Sequence, residues 1–108
     1  MITVAVYSDK QGRIESYKVT GHADSVAEGF DPVCALVSVV TQTPIIGLER
    51  HLQRQANVRV DEAAGELEVT LTEAEAKDGQ LLLDTMVSVL EELRESYGKQ
   101  LQIVKHRR

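Results

Sequence analysis

Cys34 is the only cysteine in the chain, and it stands twelve residues after His22 in the stretch Gly21-His22-Ala23-Asp24-Ser25-Val26-Ala27-Glu28-Gly29-Phe30-Asp31-Pro32-Val33-Cys34-Ala35-Leu36-Val37-Ser38. A sole thiol can form no intramolecular disulfide and supply no multi-cysteine metal site, which leaves reactivity, burial or pairing with another chain. The residues before it read as a helix start. Asp31 suits the N-cap, and Pro32 suits the first helical position, where a missing NH costs little. Cys34 is then the third helical residue, and negative charge near a helix N-terminus gains about 0.3 to 1 kcal/mol, up to ~2 when partly buried.

That gain alone does not make a nucleophile, because an ordinary thiol of pKa ~8.5 is only a few per cent ionised at neutral pH. An imidazolium beside the sulfur is the natural supplement, and His22 is the histidine best placed to provide it. Gly21 and Gly29 bracket the segment that would fold the ring back over the helix end. Asp31 has two readings, as a carboxylate that caps the helix or as one that orients the His22 ring; we expect it mainly to cap. As a cap it would bond the NH of the second or third helical residue; the latter is Cys34, whose NH is also the obvious oxyanion donor, so capping and oxyanion binding compete. Ser38 lies one turn further on the same face, where it touches substrate or the dyad, or bonds back to the carbonyl four residues earlier.

Each of these residues also has an ordinary reading. Cysteine outside a disulfide is among the most buried residue types, and Cys34 is followed by Ala35, Leu36 and Val37. His51 falls late in a helix, where a cationic ring suits the dipole, and His106 lies in a basic C-terminal run. We expect no metal and no cofactor.

The elements that must position these residues follow from periodicity. Ile2 to Tyr7 and Arg13 to Thr20, joined by the turn-like Ser8-Asp9-Lys10-Gln11-Gly12, read as an antiparallel hairpin. A second hairpin is marked by Val58 and Val60, the turn Ala63-Ala64-Gly65, and then Leu67, Val69 and Leu71. One helix is expected from about Pro32 to about Gln53, with Val33, Leu36, Val37, Val40, Gly47 and Leu48 on its stripe. Pro44 predicts a kink or break near Thr41 to Pro44, since proline removes a backbone bond and clashes with the preceding turn. Val39 and Ile46 fall off the stripe and read as core rather than as a dimer contact. A second helix, from about Gly79 to Tyr97, places Leu82, Leu83, Met86, Leu90, Leu93 and Tyr97 on one face and stops at Gly98. A last strand covers Leu101 to Lys105. The order strand-strand-helix-strand-strand-helix-strand predicts an α+β fold, a mainly antiparallel sheet of about five strands with two helices on one face.

Composition narrows the function. At 108 residues the chain suits one domain, residues 1–108, and its 43% hydrophobic and 27% charged content is ordinary for a globular protein. A net charge of -5 and 4% aromatic content argue against a nucleic-acid surface, which needs cations and stacking rings. Lys105-His106-Arg107-Arg108 is expected to be a solvated tail. No uninterrupted apolar run reaches the roughly 18 residues of a membrane span, and Met1 to Tyr7 does not resemble a secretory signal. The expected setting is the reducing cytoplasm, with no membrane partner.

The pattern Gly21-His22-Ala23, then Gly29-x-Asp31-x-Val33-Cys34-Ala35-x-Val37-Ser38, resembles the ribosomal-processing cysteine protease family, Prp. The likeness extends weakly through Thr41-Gln42-Thr43 and Gly47-Leu48-Glu49. It implies a homodimeric cysteine endopeptidase with Cys34 as nucleophile and His22 as general base. Asp31 and Ser38 match positions near the dyad, and Gly21 and Gly29 would let the covering loop move. The implied substrate is a ribosomal protein precursor of the large subunit, the L-twenty-seven kind, whose N-terminal extension is cut after a phenylalanine. Pro32, Leu36 and Pro44 depart from the family pattern; Pro32 suits a helix start, while Leu36 and Pro44 bear on helix packing and the dimer contact rather than on the chemistry. Two other readings fit the same scaffold: a non-enzymatic ribosome- or RNA-associated interaction domain with Cys34 buried, and a redox-sensing thiol.

Overall fold

The computed structural model describes residues 1–21 and 32–108. The elements run β1 (Ile2–Ser8), β2 (Ile14–Thr20), α1 (Pro32–His51), β3 (Asn57–Asp61), β4 (Glu66–Thr70), α2 (Glu73–Tyr97) and β5 (Leu101–Arg107). This is the expected α+β order. The strands form one sheet in the order β3-β4-β2-β1-β5. Three of the four strand pairs are antiparallel, while β5 joins β1 in parallel, from Ile2 opposite Leu101 to Ser8 opposite Arg107. Each helix is a crossover between strands of the same direction, α1 carrying the chain from β2 past β4 to β3, and α2 from β4 past β2 and β1 to β5.

Alternation decides which sheet face is covered. Ile2, Val4 and Val6 of β1, Tyr17 of β2, Val69 of β4 and Leu101 of β5 are buried under the helices. On the opposite face Glu68 lies between Arg59 and Lys18 at salt-bridge distance, a charged row that keeps this side hydrated. The helices press Val33, Val37 and Leu48 of α1 and Leu83, Met86 and Leu90 of α2 into the core. They cross at two glycines. A Cβ on Gly47 would lie 2.8 Å from Leu82 Cδ1, and one on Gly79 2.8 Å from Leu48 Cδ2, so each leucine occupies space that the opposite glycine leaves open.

α2 begins at Glu73, six residues before the expected Gly79. Thr72 and Glu75 form a capping box: Thr72 Oγ1 accepts from the Glu75 amide at 3.2 Å, and Glu75 Oε1 accepts from the Thr72 amide at 2.8 Å. Gly79 is an interior helix residue kept for close packing.

α1 is unbroken from Pro32 to His51, with Pro44 inside it and buried. Pro44 lacks the NH that would serve the Val40 carbonyl, and in the same turn a side chain from the sheet supplies another donor: Tyr17 Oη donates to the Thr41 carbonyl at 2.6 Å. Tyr17 is fully buried, and that burial pushes its hydroxyl pKa above the ordinary tyrosine value. Packing of the surrounding face carries the helix through the proline.

Three further expectations change. Val39 and Ile46 are not core; they are 68% and 47% exposed, and Leu36 is 39% exposed, so α1 keeps an uncovered apolar face. Lys105, His106 and Arg107 are strand residues rather than a solvated tail: His106 stacks on Tyr7 with ring centroids 4.8 Å apart, and Arg108 pairs with Glu15 at 2.7 Å. Ladder bonds to β1 outweigh the tendency of a chain end to fray. Finally, α1 does have the length and mean hydropathy, 1.4 over 18 residues, of a membrane span. Scattered Ser, Thr and Gln hide this from a search for unbroken apolar runs. The face with Val33, Val37, Pro44 and Leu48 accounts for much of that apolarity as core packing.

Replacing Tyr17 by Phe leaves the Thr41 carbonyl without its buried donor and is expected to cost about 1 to 3 kcal/mol in urea unfolding. A Tyr17→Phe protein as stable as the parent would show that the bond does not hold α1.

Candidate active site

Two helices do not cover five strands. A helix with its side chains is roughly 10 Å wide and strands are spaced ~4.8 Å apart, so two helices shelter about four strands. The strand left over is β3, the edge. Val58 and Val60 sit on the helix side of the sheet, yet they are 37% and 62% exposed. Between this uncovered strip and the flank of α1 runs a groove of about 590 Å³. Val58, Val60 and Leu67 contribute from the sheet, and Cys34, Ser38, Gln42, Ile45 and Ile46 from α1. Val19 and Gly21, at the end of β2, close the same space.

Cys34 is the third residue of α1, as expected, and is partly buried rather than sealed. It packs on the core through the same face as Val33 and Val37 while lining the groove. The simple burial reading accounts for the packing but not for that access. Ser38 lies one turn along α1, exposed, and lines the groove beside Cys34. Its hydroxyl makes no hydrogen bond with another described residue, in contrast to Thr41 and Thr43, which donate to the carbonyls four residues before them at 2.7 Å.

Gly21 is the other sequence-selected residue that the structure places at the groove. Its φ is +86°, and a Cβ there would collide with the Met1 carbonyl oxygen. The position demands glycine because the end of β2 passes directly over the start of β1 in a left-handed conformation. His22, Gly29 and Asp31 lie outside the described residues. Among the described residues no group of three His, Cys, Asp or Glu side chains is arranged to hold a metal ion.

The groove floor is what the sequence reading missed. Val58 and Val60 look like any half-buried alternating pair, and only the position of β3 at the sheet edge uncovers them. Counting two helices against five strands is the signal that could have found it.

An accessible thiol in the first helical turn, beside an apolar groove on a small α+β fold, is equipment of the thiol hydrolases. Residues 1–102 match the family model described as cysteine protease Prp, and the chain belongs to that family of cysteine proteases. The Staphylococcus aureus ribosomal processing cysteine protease Prp is 28% identical over 106 residues, covering 95% of this chain and 97% of the relative. A crystal structure of the S. aureus essential ribosomal processing protease Prp, in complex with a covalently linked product peptide, superposes with a TM-score of 0.88 at 25% identity, covering 97% of this chain and 99% of that one. A Streptococcus mutans protein is similar, with a TM-score of 0.86 at 26% identity, covering 100% of this chain and 99% of that one. This chain is a hydrolase of the cysteine peptidase class, which removes the non-enzymatic reading.

Gly21→Ala must accommodate both a left-handed backbone and the collision with Met1, and is expected to lose at least about 2 kcal/mol of stability by urea or thermal unfolding. Unchanged stability would contradict the close crossing of the two strand ends.

Proposed function

We propose that residues 1–108 form a single cysteine endopeptidase domain in which Cys34 is the nucleophile and His22 the general base. The observation that carries this reading is the placement of Cys34, at the N-terminal turn of α1 and on the wall of an open groove. His22 is the residue that follows Gly21, which lines that same groove. Asp31 caps α1, Ser38 contacts substrate or the dyad, and Gly21 and Gly29 serve as the hinges of the covering loop.

Catalysis then follows thiol chemistry. The Cys34 proton passes to His22, and the thiolate attacks the scissile carbonyl carbon. Amides of the first turn of α1 hold the resulting oxyanion, each such donor being typically worth ~2.7 to 4 kcal/mol. Collapse breaks the C–N bond as the imidazolium gives its proton to the leaving amine, and a thioester remains. A water deprotonated by His22 attacks that thioester and releases the acid, regenerating the thiolate.

The substrate we infer is the N-terminal extension of a large-subunit ribosomal protein of the L-twenty-seven kind, cut after a phenylalanine in the cytoplasm. The support is membership of the cysteine protease family and the ribosomal-processing role of the S. aureus relative. An apolar groove floor of Val58, Val60 and Leu67 suits a large apolar side chain near the scissile bond. The enzyme works as a homodimer, for which Leu36, Val39 and Ile46 offer an exposed apolar helix face.

Incubation with a peptide spanning the junction tests this by mass spectrometry. Cys34→Ala is expected to lower kcat by about 10⁴-fold or more with the fold retained, and His22→Ala to cause a loss of similar order. A fully active Cys34→Ala protein would sink the assignment.

A further inference from the structure

Pro44 divides α1 into two halves that different contacts hold. The C-terminal half is packed on α2, where Leu82 and Leu48 fill the space that Gly47 and Gly79 leave open. The N-terminal half turns Cys34 and Ser38 to the groove and Val33 and Val37 to the core. Between them the helix is at its weakest, because Pro44 offers the Val40 carbonyl no NH and its ring crowds that same carbonyl. Tyr17 is bonded at this turn. Its buried hydroxyl donates to the Thr41 carbonyl at 2.6 Å, and Thr41 Oγ1 in turn donates to the Val37 carbonyl at 2.7 Å. The grip on Thr41 is thereby passed to the half that carries the thiol.

We infer that Tyr17 is a positioning residue for the protease reaction: its hydroxyl fixes the angle of the N-terminal half of α1 at the Pro44 turn and so holds Cys34 at a set distance from the Gly21 end of the groove. The inference rests on the reading of Cys34 as nucleophile and His22 as base. Lever arms set the scale. Thr41 is seven residues from Cys34, about 10 Å along a helix, and Tyr17 is four residues from Gly21, about 13 Å along a strand. A tilt of about 5° at Thr41 therefore displaces the sulfur by about 1 Å. Misplacement on that scale costs up to about 100-fold in rate. The groove floor of Val58, Val60 and Leu67 belongs to the sheet and does not tilt with α1, so the loss falls on kcat rather than on KM.

Tyr17→Phe keeps the ring and its packing and removes only the bond. Assayed on the full chain with the junction peptide, at a temperature where the variant is fully folded, it is expected to lose about 10- to 100-fold in kcat with KM within about twofold of the parent. The pH profile of Cys34 alkylation by iodoacetamide should shift toward that of an ordinary thiol of pKa ~8.5. Leu90→Ala, in the core face of α2, also loses stability and should leave both readouts unchanged. Pro44→Ala returns an NH to the Val40 carbonyl, so adding it to Tyr17→Phe should bring kcat back to within about threefold of the parent. Parent-like kcat and alkylation in Tyr17→Phe, the same changes in Leu90→Ala, or no recovery in the double variant would overturn the inference. Should Tyr17→Phe alone fail to fold, the Pro44→Ala protein with and without Tyr17→Phe decides: kcat values within about threefold uphold the inference, and a loss of about tenfold or more overturns it. An active Cys34→Ala protein would remove the dyad, whereas an inactive one beside a parent-like Tyr17→Phe removes this inference alone.

Discussion

The buried bond from the Tyr17 hydroxyl to the Thr41 carbonyl ties the long helix to the centre of the sheet, and the placement of Cys34 depends on where that helix lies. It is a polar contact in a layer otherwise filled by Ile2, Val4, Val37 and Leu48, made in the turn where Pro44 withholds a donor. An apolar face alone fixes a helix loosely about its axis, because leucine and valine contacts carry little direction. A hydroxyl aimed at one carbonyl adds that direction. The Gly47 and Gly79 crossings then set the distance between α1 and α2. Together these contacts place the first turn of α1, and so the thiol, over the ends of β1 and β2.

Once α1 and α2 are drawn together by their glycines, they cannot also spread over β3. The groove is the consequence. Its floor is ordinary sheet-core sequence left uncovered, and its wall is the flank of a helix whose opposite side does the packing. The arrangement places apolar surface and the Cys34 thiol side by side within a chain of 108 residues. The exposed apolar residues of β3, Val58 and Val60, border this groove.

Much of this was legible in the residues. Pro32 lies in α1 as its place at a helix start suggested, and the two alternating hairpins gave two of the strand pairs. The parallel pairing of β5 with β1 was not legible, since it is set by the path of α2 over the sheet and leaves no mark in a seven-residue strand. Gly79 was misread because glycine in a helix pattern normally marks an end, whereas tertiary packing uses it here for close approach; the Thr72–Glu75 capping box was the better signal. Pro44 was read by its local cost, which the surrounding packing and the Tyr17 bond outweigh. Of the residues picked out from the motif, Gly21, Cys34 and Ser38 line the groove. The β3–β4 contribution was missed because edge exposure is a property of the whole sheet.

The central claim, that Cys34 is an activated nucleophile paired with His22, is tested most directly by the pH dependence of its alkylation. With iodoacetamide between about pH 5 and 9, the account predicts fast reaction persisting well below the ordinary thiol pKa of ~8.5, because helix and imidazolium both favour the thiolate. In His22→Ala the profile should move toward the ordinary value. A wild-type rate that simply follows an unperturbed thiol, or a thiol inert throughout the range, would contradict it.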